Sequence, residues 1–171
     1  HIEIVPPNGL LTELFTIKGS GTFVKKGPKI IRQGSGTANK EKVRKVLEES
    51  FGRKLNSSYF SSGNAYFVEE NYNGVAVVKE ANGMHYIDKI AVLPEVQGEG
   101  LARDLITSIM SSCNKVFWRA KPENHINEWY FKLCKGMQKI SNWHVYWSNL
   151  NAEEIKGAIK YAAEKPTDFV G

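Results

Sequence analysis

Between Phe117 and Lys132 the chain reads FWRAKPENHINEWYFK. Two cations one residue apart, Arg119 and Lys121, end a β-rich run. Asn124 follows in a polar stretch, and Tyr130 lies in a helical pattern beyond it. Upstream, YIDKIAV places Lys89 beside Asp88. Three cations and an amide drawn into one crevice would bind a small anion. Arginine takes a carboxylate bidentately and lysine adds a point charge, so paired cations for each carboxylate would suit a small dicarboxylate. Rim salt bridges are the competing reading of Arg119 and Lys121. Trp118, Trp129 and Phe131 read as core aromatics, since large rings bury the most apolar area.

A second stretch with chemical potential lies between Lys89 and that block. VLPEVQGEGLARDL runs from Val92 to Leu105, where a strand gives way to a helix. Helix N-termini present unpaired N–H groups and a partial positive charge, so anions bind there. Gly98 and Gly100 would let a phosphate approach those amides, and Arg103, one turn on, adds a direct charge. A left-handed turn or a plain cap explains two glycines nearly as well. Gln97, Gly100 and Ala102 set the spacing Q-x-x-G-x-A. The dinucleotide pattern G-x-G-x-x-G and the ATP-loop pattern G-K-[ST] do not occur here.

Positioning these residues requires alternating strands and helices. Lys40 to Phe51 has Val43, Val46, Leu47, Ser50 and Phe51 three and four apart, with Asn39 as N-cap, and predicts a helix. Asn64 to Glu70, Gly74 to Glu80 and Met84 to Leu93 read as three antiparallel strands, joined by NYN and by ANG. A helix from Gly100 to Ser112 buries Leu101, Leu105, Ile106 and Ile109. Lys115 to Ala120 is a strand, Ile126 to Cys134 a short helix, and Trp143 to Asn149 a strand. Asn151 to Lys165 is a helix capped by Asn151 and stopped by Pro166. The expected architecture is α/β (α+β): a mixed sheet with helices on both faces. RQGSGTANK, from Arg32 to Lys40, is Gly/Ser/Thr-rich and reads as a linker, with a domain boundary near Gly34 to Thr37. Before it, apolar runs around KGSGT predict a hairpin turning at Gly19 and Gly21.

Composition narrows the function. The chain has 171 residues, 42% apolar and 24% charged, as a globular domain does. No apolar run is long enough to cross a bilayer, and no signal-peptide pattern opens the chain. It starts at His1, which suggests a piece of something longer. The net charge is +5 and the pI about 9.1. That charge fits either a mildly basic surface or a site for an anionic ligand. Nucleic acid is the weaker reading, because the cations are dispersed and no basic helix stands out. Cys113 and Cys134 are too far apart for a CxxC motif and read as buried thiols, and four histidines without paired spacing argue against a metal.

The strand, the Q-x-x-G-x-A loop and the helix together resemble the pyrophosphate loop of the Gcn5-related N-acetyltransferases, the GNAT fold. That resemblance implies acetyl-CoA as co-substrate, bound between the splayed strands at 84–93 and 115–120. Its contacts would come from Ile90, Ala91, Val92, Gln97, Gly98, Gly100, Leu101, Ala102 and Arg103. With FWR…N…I-N-x-W-Y-F and WHVYW, the chain more closely resembles the acetyltransferase domain of the N-acetylglutamate synthases of the fungal and vertebrate type. The same domain is also appended to some acetylglutamate kinases. The resemblance covers most of residues 37–171.

The resemblance implies transfer of acetyl to the α-amine of L-glutamate, for arginine biosynthesis. Glutamate contacts would come from Lys89, Arg119, Lys121 and Asn124, and Tyr130 would be the general acid. Lys121 departs from an arginine common in relatives, which keeps the charge and loses the fork. The amine's base is not identified; Asp88 and Glu123 are candidate helpers, and Asp88 could equally be a structural partner of Lys89. A backbone N–H near Ile90 to Val92 would meet the carbonyl oxygen. Residues 1–36 resemble the tail of an amino-acid-kinase domain plus linker. Glu13 and Gly19 fall on an arginine-site motif there, and no competent arginine site is expected without the rest of that domain. A homo-oligomer, a mitochondrial matrix location and no metal, nucleic-acid or membrane partner complete the expectation. The alternative is a regulatory, non-catalytic domain of an acetylglutamate kinase.

Overall fold

A computed structural model describes residues 2–4, 22–24, 27–60 and 63–171. Strands β1 (Ile2–Ile4) and β2 (Thr22–Val24) pair antiparallel in a ribbon of their own. The expected turn at Gly19 and Gly21, and the motif residue Glu13, lie outside the described residues.

The main sheet comprises β3 (Ile30–Gly34), β4 (Ala65–Glu69), β5 (Gly74–Ala81), β6 (Met84–Val92), β7 (Val116–Ala120), β8 (Gly136–Ile140) and β9 (Trp143–Ser148). Their order is β3-β4-β5-β6-β7-β9-β8, and every neighbouring pair is antiparallel except β6–β7. Local chemistry fixes the meander. Asn82 and Gly83 both have positive φ (54° and 74°), which the two-residue hairpin between Ala81 and Met84 demands. The buried Glu69 carboxylate accepts from the Asn71 and Asn73 N–H groups, both at 3.1 Å, and so closes the β4–β5 turn.

Helices α1 (Lys40–Phe51), α2 (Leu101–Ser112), α3 (Asn127–Leu133) and α4 (Ala152–Glu164) cover both faces. The Asn39 carboxamide oxygen accepts from Lys42 N–H at 3.0 Å to start α1. Asn151 and Glu154 form a reciprocal capping box at α4. On one face Leu101, Leu105, Ile106 and Ile109 pack with Phe67, Ala76, Val78, Ile87, Trp118 and Tyr130. On the other, α1 buries Val43, Val46 and Leu47 against Tyr66, Val68, Val75 and Val77, and α4 lays Ala158 on Tyr86 and Phe117.

Two features of the sheet differ from expectation. Residues 30–34, inside and ahead of the anticipated linker, form β3 and pair with β4 from Ile30↔Glu69 to Gly34↔Ala65. The glycine-rich composition marks only the turn after that strand, where Ala38 N–H donates to Gly34 carbonyl at 3.0 Å. Strand β8 carries only weak alternation because it is an edge with Gln138 and Lys139 exposed. The sequence pattern predicts neither strand nor helix there.

Parallel pairing of β6 with β7 is confined to His85↔Val116, Tyr86↔Phe117 and Ile87↔Trp118. Beyond Ile87 the pairing with β5 slips: Val78 faces Ile87 and Val77 faces Lys89, so Asp88 is an extra, bulged residue. A bulge bends its strand and re-aims side chains. Here the two central strands part, and the gap between them is the site.

Candidate active site

The parted strands open a cleft of about 970 Å³. At one end stands the glycine loop. Pro94–Val96 make a single 3-10 turn, Gln97 is extended, and Gly98 and Gly100 take φ of 91° and 86°. A Cβ on either glycine would meet nothing within 4 Å, so the left-handed backbone and not packing is what requires glycine. Gly100 caps α2 without a side chain, which leaves the first-turn amides at Leu101, Ala102 and Arg103 for a ligand. Gln97 uses its side chain otherwise: its Nε2 donates to the Val92 carbonyl at 3.1 Å and braces the loop on the end of β6. Ile90, Val92, Gln97, Gly98, Gly100, Leu101, Ala102 and Arg103 all line the cleft. Ala91 does not. Strand alternation turns its methyl to the opposite face, into the cluster under α1, so only its backbone faces the gap's side of the sheet.

The other end is cationic. Lys89, Arg119, Lys121, Asn124 and Tyr130 all line it, though they come from β6, β7, the following loop and α3. Arg119 donates to the Ala162 carbonyl in the last turn of α4, where a cation complements the helix dipole. Its guanidinium lies 3.9 Å from the Trp143 ring centroid, and the Lys121 ammonium lies 4.4 Å from the same ring. One indole therefore floors two cations. Asn124 accepts from the Ile126 N–H through Oδ1 at 3.1 Å, which leaves its amide N–H groups for a ligand. Asn127 braces the same loop, donating to the Lys121 and Pro122 carbonyls at 2.8 and 3.0 Å.

Asp88 and Lys89 belong to a buried ionic cluster. The Asp88 side chain is fully buried; it pairs with Lys79 and Lys89, both at 3.3 Å, and with Lys165 at 3.0 Å, and accepts from the Tyr59 hydroxyl at 2.7 Å. Asp168 pairs with Lys89 and Lys165, each at 2.5 Å. Burial pushes the Asp88 carboxyl up, but Lys89, Lys165, Lys79 and the Tyr59 hydroxyl together win and hold it at about 2. Asp168 is likewise held low: burial and Asp88 push it up, and its bonds to Lys165 and Lys89 outweigh them. Neither is a proton acceptor at neutral pH. Glu123 is exposed and lies outside the cleft lining.

Tyr130 has its ring packed at 5.6 Å from Trp118 and 5.5 Å from Tyr146. Burial, and then Tyr146, raise its phenol above the ordinary value, so it keeps its proton. Of the three expected core aromatics, Trp118 is buried and Trp129 is half-buried on the cleft wall. Phe131 is 63% exposed. It follows Tyr130 on a two-turn helix, and one residue rotates the side chain by about 100°, away from the sheet. Cys113 is buried and Cys134 half-buried, and burial pushes both thiols up. Sequence reasoning missed Trp143, brought to the cleft by the pairing of β9 with β7, and Lys165, Asp168 and Phe169, whose types carry no signal until the tail folds back on the cleft.

A bulged central strand, a splayed parallel pair and a glycine-turned helix start define the class, that of GNAT acetyltransferases. Solved structures agree on the fold. An IAA acetyltransferase from Bacillus cereus matches with a TM-score of 0.53 and 15% identity over 72% of this chain and all of that one. The N-acetylglutamate synthase of Neisseria gonorrhoeae, complexed with coenzyme A and N-acetyl-glutamate, matches at 0.52 and 20% over 84% of this chain and 40% of that one. Residues 29–165 match the family model for the NAT, N-acetyltransferase, domain of N-acetylglutamate synthase, and the chain belongs to that family. An acetylglutamate kinase of Xanthomonas campestris is 33% identical over 99% of this chain and 42% of its own length. The mitochondrial N-acetylglutamate synthase of Danio rerio is 33% identical over 95% of this chain and 32% of its own. The chain thus spans about two fifths or less of these relatives.

Proposed function

We propose that this chain transfers acetyl from acetyl-CoA to the α-amine of L-glutamate, giving N-acetylglutamate. The observation that carries the reading is the polarity of the cleft. One end offers uncapped amides for a pyrophosphate, and the other gathers Arg119 and Lys121 over Trp143 with Lys89 alongside, for two carboxylates.

The pantetheine arm lies along the β6 edge that β7 leaves bare past Ile87, as an added strand would. The deprotonated amine attacks the thioester carbonyl, whose oxygen takes a backbone N–H from Ile90 to Val92. The amine proton leaves to water, since Asp88 and Asp168 are ion-paired and held low. Tyr130 donates to the departing sulfur. A phenol above its ordinary value stays protonated at neutral pH, so it is present as a hydrogen-bond donor when charge develops on the sulfur. Cys113 and Cys134 are given no part: neither lines the cleft, and burial pushes both thiols up.

A second reading, a regulatory domain of an acetylglutamate kinase, is favoured by the name of the Xanthomonas relative. Incubation with acetyl-CoA and L-glutamate, read by mass spectrometry, separates the two. N-acetylglutamate formed above the uncatalysed rate supports the synthase reading, and its absence supports the regulatory one. A matrix location is proposed on the mitochondrial name of the zebrafish relative, against the equal identity of the bacterial one.

A further inference from the structure

The end of the chain reaches into the cleft. After α4 the backbone doubles back as a strap. Asn56 N–H donates to the Asp168 carbonyl at 2.9 Å, Val170 N–H donates to the Lys54 carbonyl at 2.8 Å, and Phe169 forms a β-bridge with Leu55. The Phe169 ring packs on Phe51 at 5.2 Å. These contacts hold the strap through its backbone and its ring, independently of the Asp168 side chain's own direction. The Asp168 carboxylate adds ion pairs of its own, to Lys89 and Lys165 at 2.5 Å and to Lys79 at 3.7 Å.

We propose that Asp168 is a positioning residue for the acceptor, which sets the Lys89 ammonium so that one N–H is left for a carboxylate of the acceptor. The inference rests on the acetyl-transfer reading above. Lys89 has three N–H groups. Asp88 takes one at 3.3 Å and Asp168 another at 2.5 Å, while Tyr59 and Phe169 rings close in at 5.2 and 5.1 Å. The cluster holds Lys79, Lys89 and Lys165 against Asp88 and Asp168, so one positive charge is uncompensated. Remove Asp168, and three ammonium groups crowd Asp88 alone. Like charges then push Lys89 off its present place.

The test is steady-state kinetics with L-glutamate and acetyl-CoA on the full-length protein, alongside acetyl-CoA affinity by calorimetry and thermal melting. Asp168→Asn is expected to raise KM for glutamate by about tenfold or more, with kcat and acetyl-CoA affinity within about twofold. Asp168→Glu restores the carboxylate and most of the KM. The double variant Asp168→Asn with Lys165→Met returns the cluster to one excess charge but still lacks the group that holds Lys89. Positioning predicts that its KM stays high, whereas recovery to the wild-type value would show that only the charge count matters and would overturn the proposal. Should Asp168→Asn alone fail to fold, the charge-balanced pair decides by the same measure. An unchanged glutamate KM in these variants sinks the role of Asp168 and leaves the acetyl-transfer reading standing. A wild-type protein that forms no N-acetylglutamate sinks that reading, and this proposal with it.

Discussion

On the proposed reading the cleft has a donor end and an acceptor end, and the two are built in different ways. The donor end works with backbone: Gly98 and Gly100 turn the chain at positive φ, and the start of α2 is left uncapped by any side chain. The acceptor end works with long charged side chains, each held by another group: Lys89 by Asp88 and Asp168, Arg119 by the Ala162 carbonyl and Trp143. Backbone recognition needs few residues close together in the chain and tolerates variation around them. Side-chain recognition draws on β6, β7, the loop after it, α3, β9 and the tail, and a change at any one disturbs the rest.

The sharpest way to break that contrast is to remove the carboxylate at the centre of the charged end. Asp88→Asn should lower stability at pH 7 by about 3 kcal/mol, the scale for losing one partner of a buried ion pair. The pH dependence has a definite sign. The folded value, about 2, lies below the ordinary 3.8, so the contribution is complete above pH 4 and is lost as pH falls towards 2. Denaturant titrations across that window should show the difference between wild type and variant closing with acid. A difference that persists to pH 2 would assign the loss to packing instead of charge.

Next in size is Tyr130→Phe, in the same cleft. It should reduce kcat by about a hundredfold, with acetyl-CoA and glutamate binding little altered. Normal turnover would remove Tyr130 from the chemistry. Arg119→Gln should raise KM for glutamate by about thirtyfold, in line with ~2 kcal/mol for a charged hydrogen bond, and should leave acetyl-CoA affinity alone. If both substrates weaken together, the two ends are not separable. The smallest change is expected from Gly100→Ala. A left-handed alanine costs about 1 kcal/mol, so stability by denaturant titration should fall by about that amount while glutamate KM holds. Its Cβ meets open space within the protein, so a loss of that size would report backbone strain and not a clash, and any weaker acetyl-CoA binding by calorimetry beyond it would report a blocked phosphate approach.

The glycine loop was legible in the sequence because its determinants are local. Strand, glycine loop and helix occupy one continuous stretch, and local φ preferences and helix starts are written residue by residue. Lys89, Arg119 and Lys121, which line one cleft, were legible as charges, and the resemblance supplied their convergence. Their partners were not. Trp143 is one of four tryptophans and nothing in its neighbours marks it as a floor for two cations. Gly136 looks dispensable in the sequence, yet a Cβ there would lie 2.7 Å from the Trp147 ring, so it permits the close approach of β8 to β9. Phe131 looks like core and is exposed, because a two-turn helix offers only one face to the sheet and Tyr130 takes it.

Sequence by itself determined the helices at 40–51, 101–112 and 152–164, the β-meander and the glycine turn that opens the second of those helices, since periodicity, caps and turns act over a few residues. Tertiary structure alone decided where the sheet begins, how Asp88 bulges out of β6, and that the tail brings Asp168 and Phe169 onto Lys89. Those outcomes depend on strand pairing and charge contacts between residues as far apart as 79 positions, and no local propensity encodes a partner at that distance.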